Sequence, residues 1–114
     1  MTMAATVRVA LADIPAATIL AAEPGGRVPD IVEKMRAAGG EIILLLIDSG
    51  VAPLDRAMLI AAIGPLAIDH APATRIGAID IVQGAAQKDV EAVARFLVAA
   101  RSTTGQVLVV RPES

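Results

Sequence analysis

Few residues of this chain could do chemistry, and their spacing narrows it further. His70 is the only histidine, and there is no cysteine and no tyrosine. A lone imidazole without a carboxylate or thiolate cluster makes a poor metal site. Near a helix C-terminus it reads better as a residue favoured by the dipole. Ser49 stands in Asp48-Ser49-Gly50, a turn sequence with no base beside it, and a hydroxyl without a base is a weak nucleophile. Pro24-Gly25-Gly26 lacks the G-x-G-x-x-G spacing of a phosphate-cradling turn and reads as an ordinary loop. Asp48, Asp55, Asp69 and Asp80 are scattered. Asp48 and Asp80 form the pair to weigh for acid–base work or Mg²⁺. Helix packing or contact with a partner is the other reading of Asp80. Asp89 reads as a residue near a helix N-cap. No catalytic, cofactor-binding or metal residue is assigned. If a small ligand binds, the expected place is the C-terminal side of the sheet, where open α/β sheets take ligands, near Asp13, Asp48, Ser49, Gln83 and Gly84.

The scaffold that would position these residues is small. A length of 114 residues fits a single α/β domain over residues 1–114. A formal charge of −2 with both signs scattered, no basic cluster and a single aromatic residue, Phe96, exclude a nucleic-acid binder. The mean hydropathy of +0.66 is high for a small monomer. A membrane span needs about 20 apolar residues. The longest uncharged run, Ala57–Ile68, is shorter and is interrupted by Gly64-Pro65. Near the N-terminus, Arg8 precedes an apolar stretch ending at Ala21-Ala22, but Asp13 and Pro15 fall inside it, so it is not read as a signal peptide. The expectation is a cytoplasmic protein with no membrane span, whose excess apolar surface is buried against another chain.

The pattern predicts four strands and three main helices. Thr6–Ala12 reads as the first strand because it is rich in β-branched and aliphatic residues. Asp13–Arg27 reads as a loop with a short helical turn at Ala16–Ala22. Pro29 opens a helix whose apolar stripe is Val28, Ile31, Val32 and Met35, and Gly39-Gly40 ends it. Glu41–Asp48 carries six consecutive aliphatic residues, the mark of a strand buried on both faces. A second helix is predicted over about Leu54–Ala71, a strand over Arg75–Val82, a third helix over Lys88–Arg101 and a last strand over Gln106–Val110. This order predicts a parallel sheet with right-handed crossovers.

The second helix is apolar all round, and such a helix is expected to be buried all round. Four strands offer it a single face, so its other side is expected to meet a partner. Leu59, Ile63 and Leu66 are the residues assigned to that contact. On the third helix, Phe96 flanks the main stripe, and Ala92 and Ala99 lie one heptad apart on the far side. These three residues are added to the interface. Val107 and Val109 of the last strand join them, because an apolar edge strand is an aggregation risk unless covered.

Lys88–Val110 (KDVEAVARFLVAARSTTGQVLVV) resembles the last helix and last strand of the short-chain dehydrogenase/reductase family. Asp89-Val90, Phe96-Leu97 and Thr104-Gly105-Gln106 fall at that family's spacing. Ile76–Gly84 (IGAIDIVQG) is similar to its sixth strand and following turn, with Gln83 in place of a proline. Gly39–Asp48 is similar to its fifth strand, which would make the first strand here the family's fourth. The resemblance implies the second half of a Rossmann-like fold, close to the 3-ketoacyl reductases. It also exposes departures. The family's glycine-rich turn has no counterpart, and neither does its Tyr four residues before a Lys. The positions nearest that pair are about Pro53 and Ala57, and the family's strand-end serine falls near Ile47–Ser49.

What the resemblance then implies is a truncated pseudoenzyme that keeps the assembly half of the fold. It would act as a structural or regulatory subunit, either as a homo-oligomer or paired with an active short-chain dehydrogenase/reductase, with no cofactor of its own. Two other readings stand beside it: a small-ligand-binding α/β domain, and half of a split NAD(P)-dependent oxidoreductase completed by another chain.

Overall fold

The computed structural model describes residues 2–113. The elements run α1 (Met3–Ala10), β1 (Ala17–Ala22), α2 (Val28–Ala37), β2 (Ile42–Ile47), α3 (Pro53–His70), β3 (Arg75–Ile81), α4 (Gln87–Ala99) and β4 (Gln106–Val110). The four strands form one parallel sheet in the order β1-β2-β3-β4. This is the α/β class that the pattern predicts.

β2 organises the sheet. All six of its aliphatic residues are buried. Ile43, Leu45 and Ile47 point into one core with α2 and α3, and Ile42, Leu44 and Leu46 into a second core with α1 and α4. Gly40 makes the entry to β2 possible. It has φ +108, and a Cβ there would stand 2.8 Å from the Ala16 carbonyl oxygen. That close approach lets the Glu41 N–H donate to Ala16 O at 2.9 Å and start the ladder.

The N-terminal third corrects two expectations. Thr6–Ala12 is not a strand; residues to Ala10 belong to α1. The Thr2 hydroxyl caps that helix by accepting from Ala5 N at 3.1 Å. Ala4, Val7 and Leu11, three and four residues apart, bury one face against the second core. The first strand is instead Ala17–Ala22, expected as a helical turn. Its alanines favour helix locally, but pairing with β2 over the full length of β1 overrides that preference.

The crossover rule needs a third correction. Strands are added in one direction across the sheet, yet α2 and α3 cover one face and α4 the other. The β3-α4-β4 crossover must therefore have the opposite hand to the other two. The physical reason is that β2 has two apolar faces, and only α1 and α4 remain to cover the second. Val90, Ala94 and Leu97 of α4 pack there. Gly77 of β3 leaves room for them, since its Cβ would lie 3.3 Å from Leu44 Cδ2 and 3.8 Å from Leu97 Cδ1. Arg75 then ties the end of α4 by donating to the carbonyls of Leu97, Val98 and Ala100 at 2.9–3.1 Å.

α3 runs unbroken through Gly64-Pro65. It is not buried all round. Leu59, Ile63, Leu66 and Ala67 are buried, whereas Leu54, Met58 and Ile68 are 72%, 47% and 77% exposed. No helix among the described residues is long and apolar enough to cross a membrane.

Candidate functional site

At the C-terminal edge of the sheet the chain turns from β2 into α3 and from β3 into α4. Two charged side chains control this region. Arg56, in the first turns of α3, forms an ion pair through Nη1 with Asp80 Oδ1 of β3. Its Nη2 donates to Asp48 O at 2.6 Å and reaches Val51 O at 3.4 Å. The pair is largely enclosed, with side-chain exposures of 20% for Arg56 and 15% for Asp80. One guanidinium thus fastens the end of β2, the turn after it and the neighbouring strand. Planar multi-donor geometry suits arginine to this task.

Asp48 is used locally. Its Oδ2 accepts from Gly50 N at 2.8 Å, closing an Asx turn, and its own N–H donates to Ala22 O at 2.9 Å. Asp48 and Asp80 therefore serve different partners rather than one acid–base pair. The helix-packing reading of Asp80 is the one the geometry supports. Ser49 is exposed, and a cavity of about 190 Å³ lies between Ser49, Arg56, Asp80, Ile81, Val82 and Gln83. Gln83 and Gly84 are exposed in the turn after β3, and Pro112 of the C-terminal segment packs near Gly84.

Asp13 does not join this group. It precedes β1 at the opposite edge of the sheet, where Arg95 of α4 lies 3.6 Å away. His70 also belongs to that opposite edge. At the end of α3, its Nδ1 is 2.9 Å from Leu66 O. Among the described residues no three acidic or histidine side chains converge as a metal cluster. Pro53, near the position of the family's tyrosine, is in the first turn of α3, and Ala57 is exposed one turn further on.

The residues assigned to a subunit contact divide into two sets. Leu59, Ile63 and Leu66 are 1%, 0% and 2% exposed within the single chain, so they are core and cannot meet a partner. The outward face of α3 is Leu54, Met58, Ala61, Pro65 and Ile68, all exposed. Ala92, Phe96 and Ala99 are exposed on α4, with Phe96 at 60%. Val107 is half-buried against the α2–α3 core, and Val109 is 46% exposed. Val109 pairs with Asp80, which faces α3, whereas Phe96 belongs to the helix on the other face. Val109 therefore cannot pack against Phe96 within one chain, because the sheet stands between them, whereas Leu108 and Val110 face the layer that contains α4.

Arg56 was missed in the sequence. Its signal is a single cation in the first turns of a helix that is then uncharged to Ile68, matched by the lone acid of β3.

A family model described as short chain dehydrogenase-like protein matches residues 8–110. Comparisons with curated proteins and with solved structures give no match.

Proposed function

This chain belongs to the short chain dehydrogenase-like family, and from that premise we propose that it is an assembly unit without catalysis of its own. The observation that carries the proposal is the outward face of α3. Leu54, Met58, Ala61, Pro65 and Ile68 form an exposed stripe that carries no charge. Their separations of four, three, four and three residues keep them on one side of the helix, as in a helix–helix seam. Each large side chain would contribute roughly 1.5–3 kcal/mol if fully buried. A second copy of the chain is the simplest occupant, and an active member of the family is the alternative. The inactivity half of the reading rests on the chemistry present: no tyrosine, a Ser49 without a base, and an Arg56 already committed to Asp80.

Light scattering after size exclusion tests the proposal. At micromolar concentration the mass should exceed the 11.6 kDa of one chain. The Met58→Glu, Ile68→Lys double variant should return it to one chain with an unchanged circular dichroism spectrum. A wild-type protein that stays monomeric and soluble overturns self-association. Calorimetry giving a micromolar dissociation constant for NADH or NADPH overturns the inactive reading.

A further inference from the structure

The two edges of the sheet differ in what flanks them, and the β1 edge has the features of a peptide-binding groove. Backbone groups in a strand alternate between its two sides. Ala16 O and Ala22 O accept from β2 and its flanks, so the even positions face inward. Ile19 and Ala21 face outward. One of these outward groups, Ile19 O, accepts from Arg8 Nε at 3.1 Å. The Ile19 N–H and both groups of Ala21 are left for another strand. Ala17–Ala22 contains no lysine, proline or charged residue of the kind that blunts an edge.

A cavity flanks this edge on each side. One, of about 250 Å³, is lined by Arg8, Leu20, Ala21, Glu23, Ile31 and Lys34. The other, of about 380 Å³, is lined by Arg8 with mainly apolar neighbours, among them Leu11, Ile14, Pro15 and Ile19. Side chains of an added strand would enter the two cavities alternately. Arg8 borders both cavities, but the first adds a second cation, Lys34, beside Glu23, whereas the second adds no other charged residue; among the described residues none of these three forms a salt bridge. A carboxylate in the first could meet two cations, while the apolar lining of the second suits aliphatic groups.

We propose that the open edge of β1 binds an extended segment of a partner protein in which acidic and apolar residues alternate. Main-chain hydrogen bonds would supply the affinity and the two cavities the specificity. A second copy of β1 fits poorly. It carries no carboxylate and would bring a second Arg8 toward the first. The proposal does not depend on α3, whose stripe lies on the outer surface of one helical layer.

The test uses two capped seven-residue peptides, one alternating valine with glutamate and the other alternating valine with lysine. Hydrogen exchange is followed at the Ile19 and Ala21 amides of the full chain. The glutamate peptide should protect both amides, and the lysine peptide should not. Ala21→Pro removes an outward N–H without touching the β2 ladder, so it should abolish binding while Leu44 stays protected. Lys34→Glu, on an exposed helix face, should weaken binding roughly tenfold and serves if the proline variant folds poorly. Equal protection by both peptides, or by neither, overturns the proposal. So does protection that grows with protein concentration alone, which would make a second copy the occupant. Loss of mass in the α3 variant with peptide binding retained would separate this site from the assembly reading.

Discussion

α2 and α3 lie on the same face of the same sheet, and they treat water differently. α2 buries Val28, Ile31 and Met35 and turns Asp30, Glu33, Lys34 and Arg36 outward, the usual division for a surface helix. α3 buries Leu59, Ile63, Leu66 and Ala67 and turns Leu54, Met58, Ala61, Pro65 and Ile68 outward. The inward faces do the same work in both helices. The fold is therefore satisfied without the outer apolar residues of α3. On the assembly reading proposed above, contact with another chain is what keeps them apolar, and this separates the inner and outer faces as experimental targets.

The largest effect should come from the inner face. Ile63 is fully buried between the sheet and its own helix. Ile63→Ala should lower stability by about 2–5 kcal/mol, since it removes buried methylenes and leaves a cavity. Thermal or urea denaturation measures this directly. A loss below about 1 kcal/mol, the scale of an exposed site, would erase the distinction between the two faces of α3.

That distinction shows what was legible in the sequence. β2 was legible because six consecutive aliphatic residues between Gly39-Gly40 and Asp48 leave little choice. α2 was legible because charge and apolarity alternate at the helical period. The position of α3 was legible, but its orientation was not. With apolar residues on every side, nothing local tells Leu59, Ile63 and Leu66 from Leu54, Met58 and Ile68. The exchange of helix and strand before β2 has a similar origin. Thr6, Val7 and Val9 favour a strand locally, and Ala17–Ala22 becomes one only because β2 lies beside it. Arg56 is the same lesson in the site: Asp48 O and Val51 O lie in the turn just before it, but its charged partner Asp80 is 24 residues away on the next strand.

A smaller effect is expected where α3 is fastened to the sheet. Asp80→Asn removes the charge opposite Arg56 but leaves the Asp48 and Val51 carbonyls in place. The largely enclosed guanidinium keeps part of its hydrogen bonding, so the loss should be about 1–3 kcal/mol. Asp80→Ala should lie at the upper end of that range. Neither helix has a side-chain N-cap, but among the described residues α2 has no ion pair to the sheet such as Arg56 supplies to α3. Hydrogen exchange should accordingly rise in the turn after β2 in the Asp80 variants and stay unchanged at the start of α2. Equal loosening of both would mean that the ion pair acts on the whole fold rather than on α3.

The smallest effect is expected at Phe96, which asks whether the rule drawn from α3 extends to the other helical layer. Its ring is 60% exposed on α4, beside exposed Ala92 and Ala99. A buried phenylalanine cut to alanine costs about 3–5 kcal/mol. Here most of the ring is already in water, and alanine is the better helix former by several tenths of a kcal/mol, approximately. The two terms nearly cancel, so Phe96→Ala should change stability by less than about 1 kcal/mol in a dilute sample. A larger loss would show that the ring supports the fold of the single chain, and the division between inner and outer faces would then fail on this layer. If dilute stability holds while mass at higher concentration falls, the outer face of α4 joins that of α3 as a contact surface. If neither changes, the outer face of α4 is not a contact surface.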